Sequence, residues 1–293
     1  MSAQALALVL LAGLIHAGWN ILAKKTGGDA RFAFFTSAWQ MAVWAPLGLW
    51  LAWRAVPAWG AAEWAVIGAS ALLHVVYFVT LLRGYRAADL SVVYPVARGT
   101  GPLLSSIGAV LLLGETVTPR GVLGVLGVVL GVVLIAGGAR LWRPAASLAA
   151  RQQLHRGLYY GLVTGVWIAG YTVVDGYAVK VLAISPILVD YMGNAARVLL
   201  LAPVALRDRA ETARLWRAQW RGALGVAVFS PIAYVLVLYA VQQAPLSHVA
   251  PAREVSMLFA ALIGGRLLGE GDRVARVAGA LLIGMGVVLL ALG

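Results

Sequence analysis

The sequence predicts an all-α integral membrane protein: ten transmembrane helices arranged as two inverted-topology five-helix repeats, residues 1–145 and 146–293. Three observations lead there. Hydrophobic residues make up 62% of the 293, charged residues only 12%, and the mean hydropathy is +0.88, more apolar surface than a soluble chain of this length hides in one core. The apolar residues fall in long continuous runs, as helices crossing hydrocarbon over about 20 residues require, and not in the alternating stretches of about ten that build barrels. Finally, landmark residues of the first half recur in the second.

Charges, prolines and glycines punctuate the chain and delimit the spans in order. The first, 3–23, has no basic residue before it and is longer than a signal-peptide core, so it reads as a mature span ending at Lys24 and Lys25. The second, 32–53, lies between Arg31 and Arg54; the third, 63–85, stops at Arg86; the fourth, 90–113, stops at Gly114 and Glu115. The fifth, 119–140, opens on Pro119 and leads into the linker 141–154. The sixth, 155–178, precedes Lys180, and the seventh, 185–206, leads into the linker 207–218. The eighth covers 219–242, the ninth 246–268 up to Gly269 and Glu270, and the tenth 273–293. Neither linker has room for a soluble domain.

The net charge of +12 resides between the spans and forms no groove-lining face, so lipid headgroups, and not nucleic acid, are the expected partners. Lys24, Lys25, Arg31, Arg83, Arg86, Arg140, Arg143, Arg151, Arg156, Arg207, Arg209, Arg214, Arg217, Arg221, Arg266, Arg273 and Arg276 fall on one side, and only Arg54, Arg120 and Lys180 on the other. The positive-inside rule makes the crowded side cytoplasmic and both termini periplasmic.

The repeat is detailed. At an offset of 155, Arg98 pairs with Arg253, Gly114 with Gly269, Glu115 with Glu270, and Gly124, Gly131 and Gly138 with Gly279, Gly286 and Gly293. One residue more of offset matches Leu90, Ser91 and Pro95 with Leu246, Ser247 and Pro251. Five spans per copy is an odd number, so the second copy inserts upside down, which is a sequence pointer to alternating access around a central site.

Ten spans in two copies, the YPVARG and APARE openings, the LLGE endings and the glycine-rich closing helices together resemble the drug/metabolite transporter superfamily, in particular its EamA-type exporters. The aromatic content of the spans resembles the YddG type of aromatic amino-acid exporter. The resemblance implies a ten-helix carrier exporting small metabolites across a bacterial inner membrane. The small multidrug members of that superfamily carry an essential glutamate in the first helix; His16 is the nearest polar group here, a departure that speaks against proton-coupled export of lipophilic cations.

Pro95 and Pro251 lack an amide donor and clash with the preceding turn, so the fourth and ninth helices are expected to distort there and to mark a cavity wall, since freed carbonyls survive in a bilayer only against protein or water. Arg98 and Arg253 lie within those spans, where exposure to lipid costs about 3 kcal/mol. Either they contact a substrate carboxylate or they clamp the structure by pairing with Glu254, Asp190 or helix ends. Asp190, Asn194 and Arg197 share one face of the seventh helix, which either binds an ammonium group or holds two helices together. Further candidates for substrate contact are His16, Trp19 and Asn20 in the first span, His74 and Tyr77 in the third, Tyr94 in the fourth, Trp167 and Tyr171 in the sixth and Tyr234 in the eighth. Trp19 and Trp167 match at an offset of 148 and could flank a pseudo-symmetric pocket. His16 and His74 are candidates for proton transfer or for structural hydrogen bonds. The other tryptophans suit the interfacial belt or packing.

The glycine rows recur every seven residues and suit close packing of the fifth and tenth helices, with dimerisation through them an open alternative, so a monomer or weak homodimer is expected. The sequence has no cysteine and no HExxH, GxxxxGK[ST] or GxGxxG motif, so no cofactor and no metal is expected. These features favour a carrier of amino acids or similar amphipathic metabolites, with drugs, nucleobases or sugar phosphates as rival cargo. A lipid-modifying enzyme is the rival class; it needs a nucleophile or paired acids at the rim, and Asp208 and Glu211, which sit near one another there, lie among arginines as a solvated loop would.

Overall fold

The computed structural model of the chain describes residues 1–26, 29–136, 147–264 and 273–293. Among them the regular structure is helical: α1 (Ala3–Thr26), α2 (Ala30–Ala55), a short 3-10 turn at Val56–Ala58, α3 (Ala61–Ala87), α4 (Leu90–Leu113), α5 (Pro119–Ile135), α6 (Leu148–Lys180), α7 (Pro186–Arg207), α8 (Arg209–Gln243), α9 (Leu246–Ala252), α10 (Val255–Gly264) and α11 (Arg273–Leu292). Each of the ten apolar runs is a helix except the ninth, which is two. Six helices, α1, α3, α4, α6, α7 and α8, have the length and apolarity to cross a membrane, and α5 and α11 supply shorter apolar stretches.

Local chemistry starts and stops these helices where the sequence punctuates them. Asp29 accepts from the amides of Arg31 (2.9 Å) and Phe32 (3.1 Å) to cap α2, and Thr118 precedes Pro119 to open α5. Gly114 ends α4 in the left-handed region, φ +67°, where a side chain would be strained.

Helices of the two halves interleave. α1 packs along α8 and α3 along α6; α4 lies on α6 and α1 on α10; α2 meets α7, α4 meets α9, and α5 meets α11. Exchanging α1 with α6, α2 with α7, α3 with α8, α4 with α9 and α10, and α5 with α11 converts each pairing into itself or into another of the set. The α5–α11 pair approaches backbone to backbone. A Cβ on Gly131 would stand 2.6 Å from the Gly279 carbonyl, one on Gly279 2.7 Å from the Gly131 carbonyl, and Gly124 and Gly286 oppose each other in the same way. These four glycines are therefore consumed in packing α5 on α11 within the chain. Gly138, Gly269, Glu270, Arg140, Arg143 and Arg266 lie outside the described residues.

The prolines behave unequally. α4 runs as one helix through Pro95 and Pro102, without an interruption at Pro95 where distortion is expected from the sequence. Pro95 forfeits a single ladder bond, to the Ser91 carbonyl, and the helix continues past it. Pro251 does interrupt the ninth span: beyond it the amides of Glu254, Ser256 and Met257 turn back to Pro251, Arg253 and Glu254 at 2.9, 3.2 and 2.8 Å, a tightened i→i+3 pattern. The Ser247 carbonyl, robbed of its donor by Pro251, accepts from Ser106 Oγ of α4 at 2.9 Å. Pro231 likewise frees the Ala227 carbonyl in α8, and Trp44 Nε1 of α2 fills it at 3.1 Å. In hydrocarbon, a side chain from a neighbouring helix is what makes such a proline tolerable.

Candidate functional site

A cavity of about 290 Å³ occupies the middle of the bundle. Its wall takes residues from α1, α2, α3, α4, α6, α7 and α8 and from the interruption after α9, and it extends toward the end of α3, reaching Tyr85 two residues short of Ala87. Glu115, just past α4, joins three elements. Its carboxylate takes Lys180 Nζ at the end of α6 (2.7 Å) and the first amides of α9, Leu246 (2.7 Å) and Ser247 (2.9 Å). The LLGE ending of the first copy thus caps the helix that opens with Leu-Ser in the second.

One wall is cationic. Arg98 Nη2 lies 2.6 Å from Glu254, whose side chain is 1% exposed, and Arg253 Nε lies 3.8 Å from the same carboxylate. Two guanidinium groups thus share one acid, leaving a net positive charge facing the cavity. Arg98 Nε and Trp19 Nε1 have no protein partner among the described residues. Both are donors that a guest's oxygens could satisfy.

The facing wall carries Asp190, which takes Gln40 Nε2 at 2.5 Å and lies 3.9 Å from Arg197. Aromatic rings fill the space between. His16 stands edge-on to Trp19 with centroids 4.7 Å apart, His74 stacks on Tyr171 at 4.0 Å, and Tyr77 meets Tyr171 at 5.6 Å. His74 Nδ1 bonds the Ser70 carbonyl at 2.8 Å, which orients its ring. Tyr94 donates to Met257 Sδ at 3.2 Å, tying α4 to α10.

Of the residues singled out from sequence, His16, Trp19, Asn20, His74, Tyr77, Tyr94, Arg98, Tyr171, Asp190, Tyr234, Arg253 and Arg197 line this cavity. Trp167 does not, and its equivalence with Trp19 therefore fails at the wall. Thr164, Ile168 and Tyr171 take the lining positions of α6 and leave Trp167 half-buried beside them. Asn194 is buried and bonds the Asp190 carbonyl at 2.9 Å, bracing the helix instead of lining the hollow. Pro95 and Pro251 are both buried, next to the lining positions and not on the wall. Sequence reasoning missed Gln40, Tyr85 and Thr164, and also Asp175, a fully buried acid on α6 that bonds the Tyr234 hydroxyl. Polar residues inside apolar runs were the available signal for Gln40 and Asp175.

Helices pairing reciprocally around a central polar hollow are the architecture of a multi-pass membrane protein. The profile of the EamA-like transporter family matches residues 3–137 and again residues 155–292, so the chain belongs to that family and contains its internal repeat. No curated protein matches the sequence. A crystal structure, described only as that of a protein, covers 100% of this chain and 99% of its own with a TM-score of 0.76 and 16% sequence identity, a likeness of fold.

Proposed function

We propose that this transporter is a secondary carrier that exports amino acids, aromatic ones foremost, or similar amphipathic metabolites by alternating access between two inverted five-helix repeats, residues 1–145 and 146–293. The observation that carries the cargo assignment is the polarity of the cavity. Two arginines share Glu254 on one side, Asp190 stands on the other, and Trp19, Tyr77, Tyr94 and Tyr171 lie between. An α-carboxylate would go to Arg98 and Arg253, with the free Trp19 N–H as a further donor. An ammonium group would go to Asp190 or a ring face, where a desolvated cation gains about 2 kcal/mol. The substrate ring would sit among the aromatic side chains, and a cavity of about 290 Å³ suits a guest of that size.

Alternating access is supported by the pairing pattern that survives exchange of the halves and by the interrupted ninth span at the cavity wall. The basic ends of the spans favour a bacterial inner-membrane orientation with both termini periplasmic. The test is flux of labelled phenylalanine and tryptophan into liposomes holding the purified protein. Saturable uptake supports the assignment, and uptake equal to empty vesicles rejects amino acids as cargo.

A further inference from the structure

Between α6, α8 and α9 lies a further small hollow of about 10 Å³, room for one water-sized guest. Thr172 and Asp175 of α6, Tyr234 of α8 and Arg253 border it, and the rest of its wall is aliphatic. Asp175 is fully buried, and among the described residues no lysine, arginine or histidine comes within ion-pairing distance of it. One of its oxygens accepts from the Tyr234 hydroxyl. Ser70 approaches from α3, yet Oδ1 is left without an aligned donor, and Thr172 Oγ1, also buried, has no partner either.

The charged and titratable neighbours are His74 on α3, edge-on to Tyr234, Asp190 and Arg197 on α7, Tyr234 on α8, and Arg253 beyond α9. Arg197 is engaged by Asp190, and Arg253 shares Glu254 with Arg98, so neither is committed to Asp175. A carboxylate enclosed in this way costs several kcal/mol as an anion unless a cation joins it. A guest the size of water with a positive charge satisfies both the volume and the two orphaned oxygens.

We propose that this hollow is a site for a small monovalent cation, Na+ or a proton, held on Asp175 with the Thr172 hydroxyl as a second oxygen ligand. Tyr234 and Arg253 line both hollows, so cation and cargo share two wall residues and each alters the other's surroundings. The site does not depend on the cargo being an amino acid, and its test needs no substrate. Binding of radioactive Na+ to the detergent-purified protein, and proton uptake on stepping from pH about 9 to about 5.5, are measured for the wild type, Asp175→Asn and Thr172→Val. An exposed aspartate takes up almost no proton over that interval.

The expected result is one Asp175-dependent cation per chain. If it is Na+, Thr172→Val weakens binding at least about tenfold, a loss of about 1.4 kcal/mol; if it is a proton, Thr172→Val leaves the count unchanged. Asp175→Ser replaces the asparagine variant if the latter is not monodisperse. Wild-type protein that binds no Na+ and takes up no more protons than the Asp175 variants overturns the proposal. Absent amino-acid flux with Asp175-dependent cation binding intact rejects the cargo and leaves this site standing.

Discussion

Replacing Glu254 by glutamine removes the one acid that two guanidinium groups share. The carboxylate lies 2.6 Å from Arg98 and 3.8 Å from Arg253, with its side chain 1% exposed. Unit charges about 4 Å apart attract by about 4 kcal/mol at an effective dielectric near 20, and removing one partner of a buried pair costs about 3–5 kcal/mol because the survivor is left uncompensated. Here two survivors remain and repel each other, but both guanidinium groups border the cavity, where water recovers part of the loss. The expected destabilisation is therefore about 3 kcal/mol, roughly a 150-fold shift in the folding equilibrium. Equilibrium unfolding of the detergent-solubilised protein measures it. Adding Arg98→Met to Glu254→Gln eliminates one of the stranded charges and should restore at least about 1 kcal/mol, as neighbours that share a partner are not additive. A Glu254→Gln variant within about 0.5 kcal/mol of wild type, or a double variant as costly as the two single losses combined, would refute the shared-acid account.

Glu115 stands outside the helices; burial pushes its carboxyl up, but Lys180 and the amides of Ser247 and Leu246 outweigh that and hold it below its usual 4.5. Its contribution is thus complete above about pH 4.5 and is lost as pH falls through the lowered folded value, so the unfolding midpoint should drop on acidification in wild type and respond less in Glu115→Gln. Gly131→Val puts a branched side chain where a Cβ already stands 2.6 Å from the Gly279 carbonyl, and should cost about 1–3 kcal/mol by parting α5 from α11, whereas Gly68→Ala, with open space around it, should be neutral or stabilising in the same unfolding assay. Ser106→Ala leaves the Ser247 carbonyl without the donor that compensates for Pro251 and should lower stability by about 1–2 kcal/mol. Trp19→Phe keeps the ring but deletes the unpartnered indole N–H, so liposome flux should show KM for phenylalanine raised about tenfold with kcat little changed.

Much of the wall was legible because charge and aromaticity inside an apolar run are conspicuous. Arg98, Arg253 and Asp190 could not face lipid, and a repeat with matched arginines pointed to a shared centre. Trp167 misled because matching sequence offsets equate positions along a helix but not the rotation of its face about the axis. Pro95 and Pro251 are matched in sequence, yet only the second breaks its span. Both prolines stand at the sixth position of their helices, so the sequence around them does not tell them apart; the difference lies in the packing beyond, where the chain after Pro251 tightens around Arg253 and Glu254 while Ser106 donates to the freed Ser247 carbonyl.

The chain's own residues determined that it crosses a membrane many times, that its two halves are copies, and which spans carry charge, since these follow from hydropathy and spacing along one dimension. Only the packed structure decided that two arginines divide a single glutamate, that Glu115 reaches across to the start of α9, and that Asp175 is left beside a small hollow with no ion-pair partner among the described residues. Those are relations between residues 59 to 156 positions apart or at angles about a helix axis, and they exist only once the two halves interleave.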